Sequence, residues 1–171
     1  MRNNKQKGFS LIELLIVVAI ILIIAAIAIP NLLRSKMAAN EASAVASLRT
    51  LNTTEVLYST NCNIGFSATL NTLGPATTVG SPDCTTGDDL VDQVMSGEAT
   101  TVPASTTTSF TKSGYTFKYT PGTAPAATYT ITAQPVTYNG SGIRGFFTDQ
   151  SGVIHANATG STLPAATDPP L

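Results

Sequence analysis

A lone carboxylate near the amino terminus is the residue of this chain whose position most clearly indicates a functional role. Glu13 follows Gly8 by five residues, and the next charged side chain is Arg34. An ionisable group inside an apolar segment is costly and needs a partner of opposite charge. The position of Glu13 therefore indicates a charge pair with a cationic group at the start of the apolar segment.

The apolar segment that follows Glu13 is long enough to cross a membrane. Residues 14–33 are twenty positions without a charge. At about 1.5 Å per residue, such a helix crosses the roughly 30 Å hydrocarbon core of a bilayer. Three cationic residues precede the segment, which favours a cytoplasmic amino terminus. We therefore predict a membrane-spanning segment at 9–33, with the residues that follow it outside the cytoplasm.

The composition and the missing motifs argue against several other classes of protein. Charged residues make up 11% of the chain, against roughly 25% in typical soluble domains, and the net charge is −1. No basic patch with aromatic neighbours suggests a nucleic-acid partner. His155 is the only histidine, and no nucleophile motif, zinc cluster or phosphate-binding loop is present. The sequence therefore predicts neither an enzyme nor a cofactor or metal site.

Residues 7–15, Lys-Gly-Phe-Ser-Leu-Ile-Glu-Leu-Leu, resemble the cleavage and methylation motif of type IV pilins and type II secretion pseudopilins. Pro30 in the sequence Ile-Pro-Asn is similar to a proline that commonly lies this far into the helix of that family. In the family, a prepilin peptidase cuts after the glycine and methylates the new terminal residue. The resemblance thus implies cleavage between Gly8 and Phe9 and N-methylation of Phe9.

The resemblance also implies a structural role and a set of partners. The expected protein is a type IV pilus subunit that first spans the cytoplasmic membrane, with assembly machinery then polymerising it into an extracellular filament of further copies. The new amine of Phe9 would pair with Glu13 of a neighbouring subunit, of its own chain, or of both. Pro30 is expected to kink or locally melt the helix. A pseudopilin in a periplasmic type II secretion filament is the alternative within the family.

A secreted soluble β-domain is the alternative from a different class. Ala26-Ile27-Ala28 fits an A-x-A signal-peptidase site, and cleavage after Ala28 would release the remainder of the chain. Two features disagree with this interpretation. Glu13 interrupts the start of the apolar region, and helical periodicity continues past residue 29, so that the cut would fall inside one helix.

The remaining periodicity predicts an α+β fold in which one long amino-terminal helix packs on a small antiparallel sheet. We divide the chain into a leader at 1–8, a helix at 9–60 and a globular head at 61–171. The helix is apolar over 9–33 and amphipathic over 34–60. Alternating apolar and polar residues predict about four strands. These strands are expected at 115–120, 129–133, 145–148 and 153–155, with a hairpin turn at 149–152.

The two cysteines and a group of aspartates complete the predictions for the head. Cys62 and Cys84 both follow the apolar segment, so a disulfide is expected if this part lies outside the cytoplasm, with a reduced buried pair as the alternative. Residues 88–95 are expected to form a short helix whose acidic first turn complements the helix dipole. A cation site at the same aspartates is the alternative.

Overall fold

The computed structural model describes residues 9–75, 84, 89–97, 109–123 and 127–171. The predicted leader at 1–8 lies outside the described residues. In chain order, the elements are α1 (Leu11–Cys62), a 3₁₀ helix (Leu70–Leu73), β1 (Ser109–Lys112), β2 (Tyr115–Pro121), β3 (Tyr129–Pro135), β4 (Gly145–Asp149) and β5 (Ile154–Asn157). The chain divides into two compact units, Met1–Lys36 and Met37–Leu171, called here the amino-terminal and carboxy-terminal units.

Helix α1 has 52 residues, and its sequence explains its length. No glycine occurs between Gly8 and Gly65, and leucine and alanine are strong helix formers. The helix is continuous through Pro30, so the local melting expected there is not seen. It ends at Cys62, two residues beyond the predicted end. The next residue, Asn63, has a left-handed φ of 52°, a conformation that terminates helices.

The five strands form one antiparallel meander in the order β1-β2-β3-β4-β5. The α+β fold with a long amino-terminal helix is therefore confirmed, and the four predicted strands correspond to β2–β5. The hairpin turn predicted at 149–152 is present, with the amide of Gly152 donating to the carbonyl of Asp149 at 2.9 Å. Strand β1 was not predicted because its four residues include a single large apolar side chain, Phe110, and so show no alternation. Phe110 stacks on Phe117 of β2, with ring centroids 4.5 Å apart.

The core of the carboxy-terminal unit lies between the second half of α1 and one face of the sheet. Strand β3 and strand β2 up to Thr120 alternate between buried and more exposed residues, which places one face of each inward. Leu48 and Leu51 of α1 are fully buried among these side chains. The largest buried side chains of the sheet are aromatic: Tyr115, Phe117, Tyr119, Tyr129 and Phe146.

Residues 89–97 form turns instead of the short helix predicted at 88–95. Asp92 Oδ1 accepts a hydrogen bond from the amide of Met95 at 2.8 Å, while its Oδ2 lies 3.0 Å from Lys112 Nζ. A carboxylate that binds a backbone amide three residues later competes with continued helix formation. Asp88, the first residue of the predicted helix, lies outside the described residues. The carboxylate of Asp92 pairs with a lysine here, which does not support the alternative cation site.

Candidate functional site

The apolar surface of α1 in the amino-terminal unit is the most unusual surface of the described chain. Every leucine, isoleucine and valine from Leu11 to Leu33 is at least 46% exposed. This helix has a mean hydropathy of 3.3 over its most apolar 18-residue window and is long enough to cross a bilayer. A helix that is apolar all round is stable only when lipid or protein covers it. This stretch therefore requires a bilayer or other helices around it.

The residues predicted to direct processing and pairing lie at the start of this helix. Phe9 precedes α1 and is 74% exposed, whereas Gly8 lies outside the described residues. Glu13 is in the first turn of α1, where a negative charge interacts favourably with the helix dipole. Among the residues that the structure describes, Glu13 makes no ion pair. The exposed carboxylate is thus available to a cation outside the described part of the chain.

A second acidic residue of α1, Glu41, holds the helix to the loop between β3 and β4. Its Oε1 accepts hydrogen bonds from the amides of Ile143 at 2.9 Å and Arg144 at 3.1 Å. Its Oε2 accepts a bond from Arg144 Nε at 2.8 Å. Burial raises the pKa of the Glu41 carboxyl, but these donors and the guanidinium charge more than offset it, so the net pKa lies below the ordinary value.

A third acidic residue, Glu55, is fully buried and contacts no cation among the described residues. Its Oε2 accepts a hydrogen bond from the amide of Ser67 at 2.9 Å, and its Oε1 accepts one from Ser67 Oγ at 2.5 Å. The Tyr119 hydroxyl donates to the carbonyl of Ser67 at 2.6 Å. Burial raises the pKa of Glu55, and the bonds from Ser67 and Tyr119 only partly oppose that shift.

The amphipathic pattern predicted at 34–60 includes Glu41 and Glu55 but did not identify their burial. Both lie seven residues from Leu48, which is fully buried. Residues seven apart fall close to the same face of an α-helix. This spacing is the signal that could have identified them, because it places both carboxylates on the face that meets the sheet.

The predicted disulfide between Cys62 and Cys84 is present, with Cα atoms 5.8 Å apart. It joins the last residue of α1 to the segment after the 3₁₀ helix. The hydroxyl of Tyr58, one turn earlier in α1, donates a hydrogen bond to the carbonyl of Cys84 at 2.6 Å. The covalent bond and this hydrogen bond together attach Cys84 to the end of the helix.

Replacing both cysteines with serine is expected to lower the free energy of unfolding by about 3 kcal/mol. The bond joins residues 22 positions apart, and opening it enlarges the conformational freedom of the unfolded chain. Urea unfolding of the full chain in detergent, followed by circular dichroism, measures the change. Reduced wild-type protein should reproduce the midpoint of the double variant. Equal midpoints for oxidised wild type and variant would contradict the prediction.

The single histidine of the sequence, His155, has a structural partner among the described residues. His155 Nδ1 lies 2.6 Å from the carbonyl oxygen of Asp168, which holds the carboxy-terminal segment against β5. In the part of the chain that the structure describes, no three metal-ligating side chains converge on one point. Glu41, Glu55 and His155 each bind one segment of the chain to another.

Comparison with known proteins finds a recognised motif at the start of α1. Residues 3–29 match the family profile described as the prokaryotic N-terminal methylation motif. The amino-terminal segment therefore carries a prokaryotic N-terminal methylation motif. The matched residues begin within the predicted leader and extend to the residue before Pro30, so they include Gly8, Phe9 and Glu13.

Two curated relatives bear type IV pilus names. The type IV major pilin protein PilA of Myxococcus xanthus is 47% identical over 53 residues, which are 31% of this chain and 24% of the relative. The type IV wide pilus major component PilA4 of Thermus thermophilus is 58% identical over 48 residues, or 28% of this chain and 35% of the relative. The chain thus spans about a quarter to a third of the length of these pilins. No solved structure matches the chain.

Proposed function

We propose that this chain is a structural subunit of a type IV pilus that polymerises through α1 into an extracellular filament. The observation that carries the proposal is the exposed apolar surface from Leu11 to Leu33, most of which lies within the matched methylation motif. Lipid covers this surface while the subunit spans the cytoplasmic membrane. The corresponding helices of other copies cover it in the filament, so assembly exchanges one apolar environment for another.

Processing by a prepilin peptidase prepares the subunit for this exchange. Cleavage between Gly8 and Phe9 removes three of the nine basic side chains and keeps the whole apolar helix on the mature protein. It also creates an amine at Phe9, which the same enzyme methylates. Continuity of α1 across Ala28 supports retention of the helix, because signal-peptidase cleavage there would cut through the middle of an α-helix.

Glu13 supplies the charge that pairs with the new amine. The two groups lie four residues apart in sequence, and neither is stable in an apolar environment without an opposite charge. When a subunit enters the filament, its Glu13 meets the Phe9 amine of the neighbouring copy. This pair sets the axial register between subunits, and the assembly machinery supplies the work of extraction from the membrane.

Mass spectrometry of the mature protein, recovered from sheared cells, tests the proposal. We expect an amino-terminal N-methylated Phe9 and an abundant amount of this chain in the sheared filament fraction. An amino terminus at Ile29 would instead establish a secreted soluble domain. A methylated Phe9 that is absent from the sheared fraction, combined with a secretion defect after deletion of the gene, would identify a type II secretion pseudopilin.

A further inference from the structure

Glu55 and Ser67 join helix α1 to the segment between that helix and the 3₁₀ helix, residues 63–69, called here the strap. Both side chains are fully buried. The strap is also fixed at its two ends, because Cys62 before it forms the disulfide and Leu70 after it is fully buried in the core. The polar contacts of Ser67 therefore attach the middle of the strap between two fixed ends.

The contacts around Ser67 need more hydrogens than an ionised Glu55 leaves available. Glu55 Oε1 lies 2.5 Å from Ser67 Oγ, Ser67 Oγ lies 3.1 Å from the Tyr119 hydroxyl, and that hydroxyl lies 2.6 Å from the carbonyl oxygen of Ser67. Each hydroxyl carries one hydrogen, whereas an ionised carboxylate and a carbonyl only accept. Two hydrogens would thus serve three contacts, and one contact would be left without a donor.

A protonated Glu55 supplies the missing hydrogen. Its Oε1 then donates to Ser67 Oγ, which reverses the bond that an ionised carboxylate would accept. The Ser67 hydroxyl donates to that of Tyr119, and the Tyr119 hydroxyl donates to the Ser67 carbonyl. The other carboxyl oxygen, Oε2, accepts the bond from the Ser67 amide at 2.9 Å. A neutral acid, with one donor and one acceptor oxygen, therefore matches the amide and the hydroxyl of Ser67.

The surroundings of Glu55 also favour its neutral form. The titratable groups that face it are Tyr119 of β2 and Tyr129 of β3, and burial raises the pKa of both hydroxyls. Both tyrosines are therefore uncharged at neutral pH. In the described part of the chain, no cation lies within ion-pairing distance of Glu55. A charge buried here without a partner would be costly.

We propose that Glu55 is a proton-dependent latch, which holds the strap against α1 and β2 as a neutral acid and releases the strap when its proton is lost. Deprotonation removes the donor to Ser67 Oγ and leaves a buried charge that water reaches only if the strap moves away. Opening can be local because both ends of the strap stay attached. Since opening frees a proton, a rise in pH favours the open strap. The latch lies within the carboxy-terminal unit, so it does not depend on the proposed filament.

Hydrogen–deuterium exchange of the strap, measured by mass spectrometry on the full chain in detergent, tests the latch. Glu55→Gln is the matched control, because glutamine keeps one acceptor and one donor toward Ser67 and cannot ionise. Exchange of every amide accelerates with pH, so each wild-type rate is divided by the rate of the variant at the same pH. Because each opening releases one proton, this ratio is expected to rise about tenfold per pH unit above the ordinary pKa of glutamate.

A peptide from β3 shows whether the opening is local. In wild type, the strap is expected to exchange well before β3, because releasing the strap leaves the sheet paired. Equal protection of the two segments would mean that only global unfolding frees the strap, which would overturn the latch. A ratio of wild-type to variant exchange that does not change with pH would overturn it as well.

Infrared spectroscopy detects the acid proton directly and does not require the variant to fold. In a detergent without carbonyl groups, the wild-type protein is expected to show the band of a protonated carboxylic acid at pH values at which exposed carboxylates are ionised. Glu55→Gln is expected to lack this band. A wild-type protein whose strap is protected from exchange but which shows no such band would refute the neutral acid at Glu55.

Discussion

Glu13→Val is expected to abolish filament formation while leaving membrane insertion and cleavage after Gly8 intact. The substitution removes the proposed partner of the Phe9 amine, which is then buried without an opposite charge in the filament core. Breaking a buried ion pair by removing one member costs roughly 3–5 kcal/mol, which corresponds to a fall in assembly on the order of 100-fold or more. Sheared filament protein, measured against total cellular subunit, gives the result.

Two control variants test whether charge causes this loss of assembly. Glu13→Asp keeps the carboxylate on a shorter side chain and is expected to restore part of the filament yield. Leu14→Val changes the neighbouring apolar residue by one methylene and is expected to assemble normally. The mature amino terminus of each variant should still be methylated Phe9. Filaments of Glu13→Val at the wild-type yield would refute the proposed pairing.

Glu41→Gln and Glu55→Gln are expected to change stability with opposite dependences on pH. The pKa of Glu41 is lowered by folding, so its contribution is present above the unfolded-state pKa and is lost as the pH falls through the folded-state pKa. Glu41→Gln places an amide nitrogen opposite the Arg144 donors. At pH 7 it should lower the free energy of unfolding by about 1.5–3 kcal/mol, the range for hydrogen bonds to charged groups.

The pKa of Glu55 is raised by folding, so the pH dependence of its contribution to stability is opposite to that of Glu41. Its stabilising contribution is complete below the unfolded-state pKa and is lost as the pH rises toward the folded-state pKa. A glutamine accepts the amide bond of Ser67 and donates to Ser67 Oγ while remaining neutral. Glu55→Gln should therefore gain stability relative to wild type as the pH rises from about 4 to 7.

Thermal unfolding of the full chain in detergent, followed by tyrosine circular dichroism between pH 3 and 8, distinguishes these two effects. The loss of stability caused by Glu41→Gln should become smaller toward pH 3, because the wild-type carboxyl is then also protonated. Other carboxylates titrate equally in wild type and variants, so their effects cancel when the stability of each variant is compared with that of wild type. If the stability difference between variant and wild type changed with pH in the same way for both variants, the prediction would be wrong.

Much of the carboxy-terminal sheet could be predicted because its pattern is local. The sequence from Tyr115 to Thr120 alternates apolar and polar side chains, and β2 alternates between buried and exposed residues in the structure. One strand was missed, and the short helix predicted at 88–95 was wrong. Strand β1 depends on its pairing with β2, and residues 89–97 form turns in which the side chain of Asp92 binds the backbone.

The amino-acid sequence by itself determined the apolar helix, the methylation motif and the lone carboxylate at Glu13. These features depend on composition and spacing along one segment, so no tertiary contact is needed to detect them. Only the tertiary structure decided the contrasting roles of Glu41 and Glu55. Their carboxylates are chemically alike, and their difference arises because one meets the donors around Arg144 while the other meets Ser67 in the core. Those partners come from distant parts of the chain, and folding alone brings them together.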